Sequence, residues 1–181
     1  MTITPTPLKD CYIIQPQIFE DERGYFFESF NQRDFEEQTG IRVDFVQDNQ
    51  SQSSKGVLRG LHFQKGAFAQ AKLVRVVKGK VLDVCVDIRK GSPTFGQHFS
   101  VVLDAIEHKQ LYIPRGFAHG FLVLENDTIF TYKCDNYYNS ASESGIIFND
   151  RTLNIDWGMP DSQLIISEKD QNLPLFDTLY M

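Results

Sequence analysis

From Val57 to Cys134 short apolar runs alternate with turn signals about every 8–12 residues, with little helical periodicity. That pattern confines the chain to an antiparallel β-sandwich or barrel. The clearest run is Lys80 to Ile88. Leu82, Val84, Val86 and Ile88 face one way, and Asp83, Cys85 and Asp87 the other. Both faces are expected to be enclosed, so that the Asp face lines an interior cavity. Lys78-Gly79, just before it, reads as a hairpin turn after the strand Lys72 to Val77. Phe95 to Leu103, Leu111 to Pro114, Phe117 to Leu124 and Thr128 to Cys134 continue the series. No linker divides the 181 residues, which are expected to form one domain.

The first third reads less regularly. Residues 1–10, with Pro5 and Pro7, read as a loose arm. Glu20 to Gly24 is a turn, followed by a strand to Phe30 with Phe26, Glu28 and Phe30 on one face. Asn31 then caps a helix that carries Asp34 in its first turn and ends at Gly40. Val43 to Asn49 alternates again, and Gln50 to Lys55 reads as a polar loop. From Asn139 the chain is rich in loops, and Ser167 to Asp170 reads as a polar tail.

The net charge of −6 and pI near 5.2 argue against a nucleic-acid partner, which calls for a basic face. Cys11, Cys85 and Cys134 have no metal-binding spacing and suit reduced thiols in the cytoplasm. No apolar run approaches a membrane span, and the N-terminus lacks the pattern of a signal peptide.

Two stretches carry the chemistry. Gly56 to Gln64 places Arg59 and His62 three residues apart around Gly60. A guanidinium suits phosphate, an imidazole titrates near neutral pH, and the glycine lets a ligand approach the backbone. Ile113 to Gly120 forms a tight turn at Pro114 and Gly116 that aims His119. Its Pro-x-Gly-x-x-His spacing resembles the small barrels called cupins, in which such a His often binds a metal with a His-x-His pair and a Glu. Here Gln64 stands where the second His belongs, Lys72 follows instead of a Glu, and Val123 replaces an expected Asn. Two histidines beside a cation hold a catalytic metal poorly. The expectation is a cupin-like antiparallel jelly roll with few short helices, no metal and no cofactor. His119 is then either an acid/base group or a residue that orients others.

Taken in order, Asp21 to Glu28, Gln47 to Asn49, Gly56 to Gln64, Lys72, Pro114 to His119, Tyr132 and Lys169-Asp170 resemble the dTDP-4-dehydrorhamnose 3,5-epimerase family. The resemblance runs from Phe19 to Asp170. It implies a dTDP-linked 4-keto-6-deoxyhexose as substrate, with inversion at carbons 3 and 5 through an enolate. It implies His62 as base with Asp170 as its partner, Tyr132 as acid on the opposite face, and Lys72 beside the enolate oxygen. Arg23, Phe26, Glu28, Gln47, Asn49, Arg59, His119, Glu143 and Lys169 are the implied substrate-binding positions. Arg23, Phe26 and Glu28 would come from the partner subunit of a homodimer, whose N-terminal strands add to its neighbour's sheet. Rival readings are a mono-epimerase or 3,4-ketoisomerase of the same superfamily, a metal-dependent cupin oxygenase, and a sugar-binding module without activity.

Overall fold

The computed structural model describes residues 1–180. In chain order the strands are β1 Thr2–Pro5, β2 Tyr12–Gln15, β3 Phe19–Asp21, β4 Gly24–Phe26, β5 Gln47–Ser53, β6 Val57–Gln64 and β7 Lys72–Lys78. They continue with β8 Lys80–Asp87, β9 His98–Asp104, β10 Gln110–Ile113, β11 Phe117–Val123, β12 Thr128–Cys134, β13 Glu143–Gly145 and β14 Ile165–Ile166. The α-helices are α1, Gln32–Thr39, and α2, Glu168–Gln171.

The strands form two facing sheets, ordered β1-β2-β10-β7-β12-β5 and β13-β6-β11-β8-β9, with β14 joining β6 in parallel. This is the expected cupin-like jelly roll, mainly β and almost wholly antiparallel. The inner faces share a core that includes Val74, Val76, Cys85, Phe117, Phe121 and Phe130. The two-residue alternation of β8 explains how its other face is used. Val84 and Val86 pack outward against Ile146, Phe148, Leu153, Trp157 and Phe176. The loop-rich segment after Asn139 therefore covers the outside of the second sheet, and β8 is enclosed on both faces. The first sheet is covered by α1. Asn31 Oδ1 accepts from Asp34 N at 3.2 Å, Gly40 closes the helix at φ 72°, and Phe35 is fully buried against Ile14, Leu73 and Tyr112.

Several local readings change once the sheets are assembled. Residues 1–10 are not a loose arm: β1 pairs with β2 at the sheet edge, where a terminal Pro removes no ladder bond, and Leu8 is buried. Lys78-Gly79 is not a hairpin turn. It passes the chain between sheets, because β7 pairs with β10 and β12 while β8 pairs with β11 and β9. The strand after Gly24 stops at Phe26. Phe26 stays exposed while Phe30 packs beside Phe35 and Phe45, so they do not share a face. Gln50 to Ser53 is strand, not loop, since β5 runs on in register with β12. Ser167 to Asp170 is no tail: Ser167 caps α2 and Asp170 is buried.

One buried polar cluster ties the N-terminal segment to the barrel. Asp87 is fully buried and accepts from Arg89 Nη2 at 2.8 Å and Thr94 Oγ1 at 2.7 Å, while Arg89 Nη1 reaches Asp10 at 2.9 Å. Burial pushes the Asp87 carboxyl up, but the bonds from Arg89, Ser92 and Thr94 outweigh it and hold the group at about 2. An unfolded Asp titrates near ~3.9, so this group adds about 3 kcal/mol of stability. That contribution is full above pH ~4 and disappears as the pH falls through ~2. Thermal melts between about pH 5 and about pH 2 should show a smaller acid-induced fall in Tm for Asp87→Asn than for wild type. Equal slopes would mean that the cluster is not what acid breaks.

Candidate active site

β6 and β11 lie side by side, with His62 opposite His119. The glycines beside them allow this approach. A Cβ on Gly60 would stand 2.6 Å from the His119 carbonyl oxygen, and one on Gly120 would stand 2.7 Å from that of Arg59. The ladder register between these strands shifts between His119 and Phe121.

Each histidine carries its own carboxylate. His62 Nε2 lies 2.8 Å from Asp170 Oδ1, and Asp170 Oδ2 accepts from Gly60 N at 3.1 Å. The backbone N–H of Asp170 donates to Ser167 Oγ at 3.1 Å. Burial raises the Asp170 carboxyl, but the bonds from His62 and Gly60 prevail and hold it below the usual range. An ionised Asp170 fixes the N–H of His62 on Nε2 and leaves Nδ1 to take a proton. His119 Nε2 lies 2.9 and 3.1 Å from the two oxygens of Asp83, with both residues buried. Burial, with Lys72 and His62 nearby, keeps the His119 imidazole below its ordinary value despite Asp83.

The opposite wall comes from the first sheet. Tyr132 on β12 is paired with Asn49 of β5 and Val74 of β7. Burial pushes its phenol up, so it stays protonated at neutral pH. Lys72, opposite Cys134, holds its Nζ 5.8 Å from the centre of the Tyr132 ring, and burial lowers its pKa. Arg59 donates to Ser53 Oγ from Nη2 at 3.2 Å. Gln47 Nε2 donates to Asn49 Oδ1 at 3.1 Å, and Asn49 Nδ2 to Cys134 Sγ at 3.7 Å.

These walls enclose a cavity of about 600 Å³ lined by Arg59, His62, Lys72, His119, Tyr132, Lys169 and Asp170, among others. A cleft of about 220 Å³ shares His62, Lys72 and Tyr132 with it and adds Gln47, Asn49, Tyr138 and Glu143. Glu143 Oε2 accepts from Lys169 Nζ at 2.6 Å and from Tyr138 Oη at 3.0 Å. Ten of the thirteen sequence-derived positions thus line these two spaces, which share His62, Lys72 and Tyr132. Arg23, Phe26 and Glu28 do not. Arg23 pairs with Asp21 on the β3–β4 hairpin, Phe26 is 70% exposed there, and Glu28 accepts from Asn31.

Asp83, Tyr138 and Ser53 join the site only in the folded chain. The inward Asp83 was readable from the alternation of β8. Tyr138 and Ser53 carry no local signal. Among the described residues no group of three or more His, Cys, Asp or Glu could hold a metal ion, and none of the helices is long and apolar enough to cross a membrane.

The family model described as dTDP-4-dehydrorhamnose 3,5-epimerase matches residues 5–178. The chain belongs to that family. The dTDP-4-dehydrorhamnose 3,5-epimerase of Salmonella typhimurium is 54% identical over 178 residues, covering 98% of this chain and 96% of its own. A solved structure of the enzyme of that name from Elizabethkingia anophelis superimposes with a TM-score of 0.96 at 57% identity, over 98% of this chain and 97% of that one. A dTDP-6-deoxy-D-glucose-3,5-epimerase from Legionella pneumophila, solved with dTDP-4-keto-L-rhamnose, gives a TM-score of 0.92 at 49% identity, over 97% and 93% of the two chains. Membership of this epimerase family agrees with the order of the motifs from Asp21 to Asp170.

Proposed function

We propose that the chain inverts carbons 3 and 5 of dTDP-4-dehydro-6-deoxy-D-glucose to give dTDP-4-dehydro-L-rhamnose. The observation that carries this reading is that a carboxylate-bound imidazole and a protonated phenol, on strands of different sheets, line one cavity. The ketone at carbon 4 acidifies the protons on carbons 3 and 5, so the chemistry needs no cofactor. His62 Nδ1 takes the proton from one carbon, and the electron pair moves into an enolate. Lys72 places positive charge near the enolate oxygen, in a site whose burial strengthens the interaction. Tyr132 then gives its proton to the opposite face of that carbon and recovers one from water, while His62 releases the proton it took. The second carbon follows by the same steps.

Arg59 is proposed to fork onto the diphosphate, with Gln47, Asn49, His119, Glu143 and Lys169 as further contacts. Asp83 would hold the His119 ring as Asp170 holds His62. A second copy of the chain is proposed to supply its Arg23, Phe26 and Glu28. Support comes from the β3–β4 hairpin, which pairs with neither main sheet and exposes Phe19, Tyr25 and Phe26. We place the whole chain, as one domain, in the cytoplasm, where its three free buried thiols stay reduced.

The test is proton NMR of the purified protein with the dTDP-keto-sugar in deuterated water. Deuterium should enter carbon 3 and carbon 5. Label at one carbon only would make the chain a mono-epimerase, and label at neither would sink the reading.

A further inference from the structure

We propose that Gln64 is a positioning residue that holds the rim of the active site, so that Tyr138 and Glu143 face the substrate cleft. The inference rests on the reading of this cavity as the nucleotide-sugar site. Gln64 lies two residues beyond His62 on β6, and so on the same face of the strand. It is the position at which a metal-binding cupin would carry its second histidine. Here the side chain is buried, and its Oε1 accepts from the backbone N–H of Asn139 at 3.1 Å.

The neighbouring peptide group is held from the other sheet, where Gln47 Oε1 accepts from Tyr138 N at 3.0 Å. Two glutamines, one from each sheet, thus grip consecutive backbone amides of the segment after β12. The segment returns to Gln64, whose Cα pairs with that of Glu143 in the β6–β13 ladder. In between, Asn139 Oδ1 accepts from Ser142 N at 3.0 Å and closes the short turn Ser140–Ser142. The loop leaves from and comes back to one side chain and its own strand.

What this frame holds in place is functional surface. Tyr138 is 53% exposed, lines the cleft, and donates through its hydroxyl to Glu143. Glu143 also binds Lys169, the residue next to the catalytic Asp170. A residue at position 64 with no acceptor would leave the Asn139 N–H without its partner and release the rim. The base, the acid and Lys72 would keep their own supports on β6, β12, β7 and α2. Loss of Gln64 should therefore weaken binding and spare the chemical step.

The experiment compares wild type with Gln64→Met, which keeps the side chain's length and removes the acceptor. KM for the dTDP-keto-sugar and Kd for dTDP by calorimetry should each rise about tenfold, the effect of losing about one buried hydrogen bond's worth of ordering. The kcat value should stay within about twofold of wild type, since the groups that move protons are untouched. In wild type, the amide of Asn139 should be protected from exchange with solvent, and in Gln64→Met that protection should be lost. An unchanged KM and Kd, or a fall in kcat with KM unchanged, overturns the inference. So does fast exchange at Asn139 in wild type, which needs no variant to fold. A wild type that binds no dTDP overturns the functional reading along with it, whereas a wild type that binds and a variant that matches it remove this inference alone.

Discussion

His62→Ala is expected to lower kcat by about 10²–10⁴-fold, the contribution of a positioned general base, while Kd for dTDP stays close to wild type. The side chain reaches into the cavity and is 29% exposed, so its removal opens no void in the core. Asp170 loses one partner at Oδ1, yet keeps the Gly60 N–H at Oδ2 and the Ser167 cap on its backbone. The dyad's frame therefore survives without the ring. The nucleotide-binding groups, Arg59 above all, are anchored independently, through Ser53 on β5. Turnover by NMR and dTDP binding by calorimetry separate the two roles. Binding lost in step with turnover, or a Tm lowered by many degrees, would show that the imidazole is structural.

The second large effect is expected at Tyr132. Tyr132→Phe keeps the ring against Phe130 and below Lys72 and removes only the hydroxyl. Net inversion should fall by about 10²-fold or more, as expected for a general acid. Abstraction by His62 should persist, and a proton returned to the same face leaves configuration unchanged. In deuterated water the variant should therefore exchange the substrate's proton for deuterium faster than it makes product. Because burial keeps the phenol raised, acid loss through its ionisation belongs above pH ~10, and the alkaline limb of wild-type activity should lie there. A variant that loses exchange as completely as inversion would place Tyr132 on the same side as His62, and the two-face mechanism would fail.

The site is built from pairs that no stretch of sequence contains. His62 and Asp170 are separated by 108 positions, and His119 and Asp83 by 36. Asp170 by itself has the look of a solvated charge. It becomes a dyad partner because Ser167 starts a helical turn that packs on β6 and buries the carboxylate beside Gly60. The polar run Gln50 to Ser53 hides its strand for a related reason. Strands are recognised by apolar alternation, but the inward face of β5 meets a polar cavity, so Asn49, Ser51 and Ser53 alternate with exposed residues without looking like a strand.

The sequence by itself determined the β class, the two-faced strand β8, the Asn31–Gly40 helix and the order of the family's motifs. These follow from interactions between residues two to four apart, or from side-chain chemistry that travels with the residue. The tertiary structure alone decided that Asp170 and the polar face of β5 turn inward, that Lys78-Gly79 joins two sheets rather than folding one back, and that Gln64 and Gln47 meet the same loop from opposite walls. A buried hydrogen bond depends on what covers it, and here the covering segments lie far away along the chain.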